Sequence, residues 1–192
     1  MKTKKYGILY FAILTILLSF YGCTNKQSEI QNSLTNTEDA MKFLNGLEGK
    51  WIAVLDGDQS TYGFEYILSA RDKVIIERLR TDIPTEMLTV YNLDNGILRA
   101  NHFCQLQNQP NLIAVTSEDE GDLNFLCVGE VGNTKTHDEL HMHGYHLMKT
   151  DSGIKVWMDM YQDGATAFQS KYELFRVDSE RGQELTNLEQ KH

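Results

Sequence analysis

Hydrophobic positions change their period twice along the chain. A largely apolar run near the N-terminus, broken by Tyr10 and Thr15, gives way to helical spacing, with Ala40, Met41, Leu44 and Leu47 on one face. Thr37 is a good N-cap, and Glu38 and Asp39 put acids in the first turn. A short helix is therefore predicted from Thr37 to about Asn45, ended by Gly46 and Gly49. Beyond Gly49 the period becomes two. Short runs rich in Val, Ile, Tyr and Phe are separated by turn signals such as Asp94-Asn95-Gly96, Asn108-Gln109-Pro110 and Asp163-Gly164. Turns recurring about every ten residues imply about ten antiparallel strands in a sandwich or barrel. Residues 37–177 read as one domain, long enough to bury roughly two-thirds of its surface.

Strand parity then separates inner from outer side chains. In the segment Glu86 to Cys104, a two-residue Asn95-Gly96 turn sets Tyr91 opposite Ala100, Thr89 opposite His102 and Met87 opposite Cys104. The face Met87, Thr89, Tyr91, Leu93, Leu98, Ala100, His102 and Cys104 carries no formal charge, so it is the inner one. By the same test Tyr62, Phe64, Tyr66 and Leu68 share a face, as do Phe168, Tyr172, Leu174 and Arg176. Around Val74 to Arg80 the set with one charge is preferred to the set with two, which makes Glu77 an inward carboxylate. For the stretch His137 to Met148, parity leaves both faces open.

The N-terminus changes the picture of where the domain works. Lys2, Lys4 and Lys5 precede an apolar run from Ile8 to Leu18 that is short for a membrane span of about 20 residues and suits a signal peptide. Gly22-Cys23 resembles the lipobox of bacterial lipoproteins, in which the cysteine becomes the acylated N-terminus. The resemblance implies a signal peptide over 1–22 and lipidation at Cys23. Residues 23–36 then form a lipid-anchored polar tether, dominated by Ser, Thr, Asn and Gln and too polar to pack. Residues 178–192 read as a polar tail. The expected address is a membrane-anchored exported protein, on the periplasmic side of the outer membrane or at the cell surface.

Charge narrows the partners. The net charge of −9 becomes −12 once residues 1–22, with three lysines and no acid, are removed. Such a surface argues against nucleic acid and leaves Cys23 as the route to the membrane. Cys104 and Cys127 are the remaining cysteines; export permits a disulfide between them, but spacing does not establish one.

Two features resemble the lipocalin-like, or calycin, β-barrels. Gly49-Lys50-Trp51 is similar to the Gly-x-Trp that begins their first strand, and Arg176 stands where their closing arginine covers that tryptophan. The resemblance implies an all-β, lipocalin-like antiparallel barrel of about ten strands preceded by a short helix, with Trp51 and Arg176 closing it. The stretch Glu86 to Pro110 further resembles the central signature of a family of uncharacterised exported bacterial barrels, carried by Glu86, Met87, Thr89, Tyr91, His102, Phe103, Cys104, Asn108, Gln109 and Pro110. His141-Met142-His143 resembles that family's His-Met-His, which implies that both histidines face inward.

The candidate chemistry centres on histidine. Four of the six histidines lie between Thr136 and His146. The zincin spacing is absent, because Asp138 stands where its Glu would be. The assembled expectation is one cavity shared by Glu77, Thr89, Tyr91, His102, Cys104, His141 and His143, binding a small, partly apolar ligand. Three alternatives stand beside it. Histidines hold a metal or haem; His102 or Glu77 acts as a general acid or base; or the polar groups form a structural network. No catalytic residue, cofactor or metal-ligand set is assigned, and His137 and His146 read as solvated strand residues.

Overall fold

In the computed structural model the described residues are 37–56, 60–115, 122–134 and 136–189. The signal, Cys23 and the tether lie outside them. A helix, α1 (Thr37–Asn45), leads into ten strands: β1 (Gly49–Leu55), β2 (Thr61–Ser69), β3 (Val74–Leu79), β4 (Met87–Asp94), β5 (Ile97–Phe103), β6 (Asn111–Val115), β7 (Asp122–Cys127), β8 (His141–Lys149), β9 (Ile154–Gln162) and β10 (Ala165–Arg176). Each strand pairs with the next, and β1 pairs with β10, so an antiparallel up-and-down barrel closes on itself. This architecture is consistent with the calycin class. Among the described residues no helix is long and apolar enough to cross a membrane.

Alternation builds the interior. Ile75, Glu77 and Leu79 are buried on β3, as are Met87, Thr89 and Tyr91 on β4 and Leu98, Ala100 and His102 on β5, while their neighbours are less so. The β4–β5 register pairs Thr89 with His102 and Tyr91 with Ala100. Its turn holds Asn95 at φ 51° and Gly96 at φ 81°. Asp163 and Gly164 take the same left-handed pair, φ 52° and 80°, between β9 and β10, the geometry that matches strand twist in two-residue hairpins.

One end of the barrel is plugged. Ala40, Met41 and Leu44 of α1 and the following Leu47 join the core, and the Trp51 indole N–H donates to the Leu47 carbonyl at 2.8 Å. Trp51 pairs with Arg176 across the β1–β10 seam, with the guanidinium 5.5 Å from the indole centroid. Arg176 Nη1 also donates to the Glu48 carbonyl at 2.9 Å. Gly49 fits beneath it because its φ is +123° and a Cβ would lie 3.0 Å from Arg176 Nη2. The polar stretch after Val177 forms a helix, α2 (Glu180–Glu189), contrary to a plain tail. Ser179 starts it, accepting from the Gly182 N–H at 3.1 Å as an N-cap, and Leu185 is buried.

Candidate functional site

The single cavity expected from the sequence resolves into three polar centres. The first is a carboxylate in the middle of the barrel. Glu77 is wholly buried, and it accepts from Tyr66 at 2.6 Å, from Tyr91 at 2.7 Å and from Tyr145. Burial pushes its carboxyl above the usual range, while the phenol donors pull the other way. The three phenols are themselves held well above their ordinary value by burial and by the carboxylate. Tyr66, Tyr91, Tyr145, Phe64 and Phe125 are the largest fully buried rings among the described residues, and Phe125 packs on Tyr91 with centroids 5.5 Å apart. Glu77 and Tyr91 therefore belong to a packed network and not to the wall of an open cavity.

The second centre continues the same row of cross-strand neighbours. Tyr66 pairs with Glu77, Glu77 with Thr89, and Thr89 with His102. Thr89 Oγ1 lies 3.0 Å from His102 Nδ1. His102 is 1% exposed, its Nε2 has no partner, and burial lowers its pKa to about 4. It borders a cavity of about 200 Å³ at the end of the barrel away from α1, together with Cys104 and Met142. Both cysteines are free, and burial raises both thiols, so no disulfide joins Cys104 to Cys127.

His141 and His143 do not reach that cavity, which corrects the inward placement the resemblance implies. A bulge interrupts β8 between Met142 and Gly144. At a bulge an extra residue breaks the strict alternation of faces. Met142 pairs with Met160 and lines the cavity, whereas His141 pairs with Tyr161. His143 stacks on the same tyrosine, with centroids 4.5 Å apart and planes 24° from parallel.

The two histidines instead form the third centre, with Cys127 and His137. One ligand atom from each of the four lies within 4.8 Å of all the others. The His141 Nε2 to His143 Nδ1 separation is 3.4 Å. Two nitrogens bound to zinc at 2.0–2.1 Å in a tetrahedron stand roughly 3.3–3.4 Å apart, so this pair is already spaced for a shared ion. His141 Nδ1 lies 2.7 Å from the Glu139 carbonyl. A carbonyl only accepts, so the ring proton sits on Nδ1 and the Nε2 lone pair faces the cluster, the usual outer-shell orientation of a metal-binding imidazole. Burial and the neighbouring imidazoles lower the pKa of His141 and of His143, which keeps both rings neutral and able to ligate.

The segment that delivers His137 is pinned by the Asn-Gln-Pro stretch. Gln109 and Gly132 exchange backbone hydrogen bonds at 2.9 and 3.1 Å. Asn108, itself buried, donates to the Leu140 carbonyl at 2.8 Å, directly before His141. The sequence reading missed Cys127 and His137 as site residues. The available signal was a cysteine ten residues before a His-x3-His-x-His run, but periodicity cannot show that a β7 end and a loop meet β8. His146 is neither solvated nor part of the cluster. It contacts Asn124 Oδ1 at 2.7 Å and Asp159 Oδ2 at 2.9 Å, and it stacks 4.8 Å from Trp157.

Fold and site define a calycin-like closed barrel with a His3Cys cluster at its rim. No protein-family model matches the chain and no curated protein matches it.

Proposed function

We propose that this barrel binds a transition-metal ion, zinc foremost, through Cys127, His137, His141 and His143. The observation that carries the reading is the convergence of four ligand atoms within 4.8 Å. One thiolate and three imidazoles suit a four-coordinate tetrahedral ion, while carboxylate-preferring magnesium or calcium would find no oxygen set here. Four protein ligands fill a zinc tetrahedron and leave no open position for an activated water. The centre is therefore read as a structural, storage or sensing site and not a hydrolytic one. Cobalt(II) titration of the chelator-treated protein tests it. One equivalent should give tetrahedral absorption bands with a sulfur-to-cobalt charge-transfer band, displaced by zinc. Cys127→Ser should remove the charge-transfer band, and His141→Ala should weaken binding by at least about tenfold. Absence of a tetrahedral spectrum, or one unchanged in both variants, would sink the reading.

The cavity beside His102 supports a second reading, a small ligand held inside the barrel. At about 200 Å³ it is smaller than the 300–1,000 Å³ typical of drug-sized sites. The sequence supports an exported setting for either role. On that reading 1–22 is a lipoprotein signal, 23–36 a tether from acylated Cys23, and 37–177 the working domain of an uncharacterised exported barrel family.

A further inference from the structure

The second reading acquires a definite ligand class from the atoms around His102. Its ring is deeply buried, with Nδ1 beside Thr89 Oγ1 at 3.0 Å and Nε2 without a partner. The Thr89 hydroxyl has one proton, and Thr89 stands between Glu77 and His102 in the same cross-strand row. With its proton turned toward Glu77, that hydroxyl would accept from His102, and the imidazole proton would sit on Nδ1. The unpartnered Nε2 is then a bare lone pair, and His102 borders the mouth cavity.

The remaining walls are apolar and soft. Met87, Met142, Met158 and Met160 line the cavity with Cys104. Methionine adapts to irregular shapes and makes favourable sulfur contacts with aromatic rings. An engineered apolar cavity of about 150 Å³ holds benzene, so about 200 Å³ suits one substituted ring. A second unsatisfied atom lies on the same lining: Arg80 Nε is buried without an acceptor, while its guanidinium stacks on Tyr62 at 4.3 Å. A hydroxyl offers a donor to His102 and an acceptor to an N–H group. A carboxylate offers no donor and would set an anion against the His102 lone pair.

We propose that the mouth cavity binds a small, uncharged, single-ring phenol whose hydroxyl donates to His102 Nε2. The proposal rests on the second reading above and is independent of the metal cluster. The probes are phenol, toluene and benzoate, titrated by calorimetry into the intact protein at neutral pH, with the histidine ring nitrogens followed by ¹⁵N NMR. In the free protein His102 should show the Nδ1–H tautomer, and phenol should shift its Nε2 resonance. Phenol should bind at least tenfold tighter than toluene, and benzoate weaker than either. Met87→Phe, which fills the cavity from β4, should abolish phenol binding; His102→Gln should reduce it at least tenfold. Equal affinity for phenol and toluene would keep the cavity reading and overturn the hydroxyl assignment. Tightest binding of benzoate, an Nε2–H tautomer, or copper(I) taken up by the methionines in place of phenol would overturn it as well. Binding of neither phenol nor toluene would overturn both.

Discussion

Three phenols and a threonine surround one carboxylate, and that arrangement sets the energetics of the barrel's centre. A hydrogen bond to a buried charged group is worth about 1.5–3 kcal/mol, and its loss leaves the acceptor desolvated and unpaired. Tyr145→Phe should therefore lower stability by about 1.5–3 kcal/mol. Because the Tyr145 phenol is the strongest influence holding the Glu77 carboxyl down, the same change should raise that carboxyl further. Urea unfolding across pH checks both effects. His102 adds a pH dependence of its own. Unfolded histidine titrates near 6.5, and burial takes the folded ring to about 4. The unfolded chain binds the proton first, so stability is full above pH 6.5 and falls as pH drops toward 4, by about 3 kcal/mol. Glu77 works in the opposite sense, losing stability as pH rises above its unfolded value of 4.5. On going from pH 7 to pH 5, His102→Gln should lose less unfolding free energy than the native sequence does, or gain more. An unchanged difference would remove the buried neutral imidazole as its cause.

At the scale of strands and helices, legibility followed regularity. The inward placement of Glu77, Thr89, Tyr91 and His102 was readable because β3, β4 and β5 alternate without interruption. The β8 histidines were not, because the Met142/Gly144 bulge shifts the pairing and no local residue pattern announces it. Gly144 has a visible packing reason only in three dimensions: a Cβ there would lie 2.6 Å from Asp159 Oδ2 and 2.9 Å from His146 Nε2. Helix α2 went unread because its composition is polar; Ser179 caps it and Leu185 is buried. The β1–β10 seam carries the element-scale prediction. Arg176→Ala removes the stacked guanidinium and its bond to the Glu48 carbonyl. It should cost about 1–2 kcal/mol and lower the melting temperature by several degrees. Thermal melts of the variant superimposable on the native ones would mean the cation contributes nothing to closure.

For the whole molecule, the contact between distant elements matters most. The His3Cys cluster draws on the end of β7, the incoming segment at His137, and β8, and its loop is held by Asn108 and Gln109 from beyond β5. No single window of sequence contains that geometry, which is why histidine density alone pointed to several chemistries. The exported setting makes its own prediction. If Cys23 is the acylated N-terminus, Cys23→Ser should leave the protein unprocessed or soluble after cell fractionation. Quantitative recovery of that variant with the membranes, processed to normal size, would remove the lipoprotein assignment.

Closure of the ladder has a further consequence for solubility. A sheet with open edges presents rows of unpaired N–H and C=O groups that can template pairing with another chain. Here β1 and β10 satisfy each other over Trp51 to Leu55, which closes the ladder along that stretch. Along that paired stretch the two terminal strands offer no strand-addition site to another chain. The weak point is the seam itself: anything that peels β10 away exposes two adhesive borders at once, on β1 and on β9. Slow aggregation at partial denaturation should then begin with β10 release, and hydrogen exchange along Leu174 to Arg176 should rise before exchange in β3 or β4.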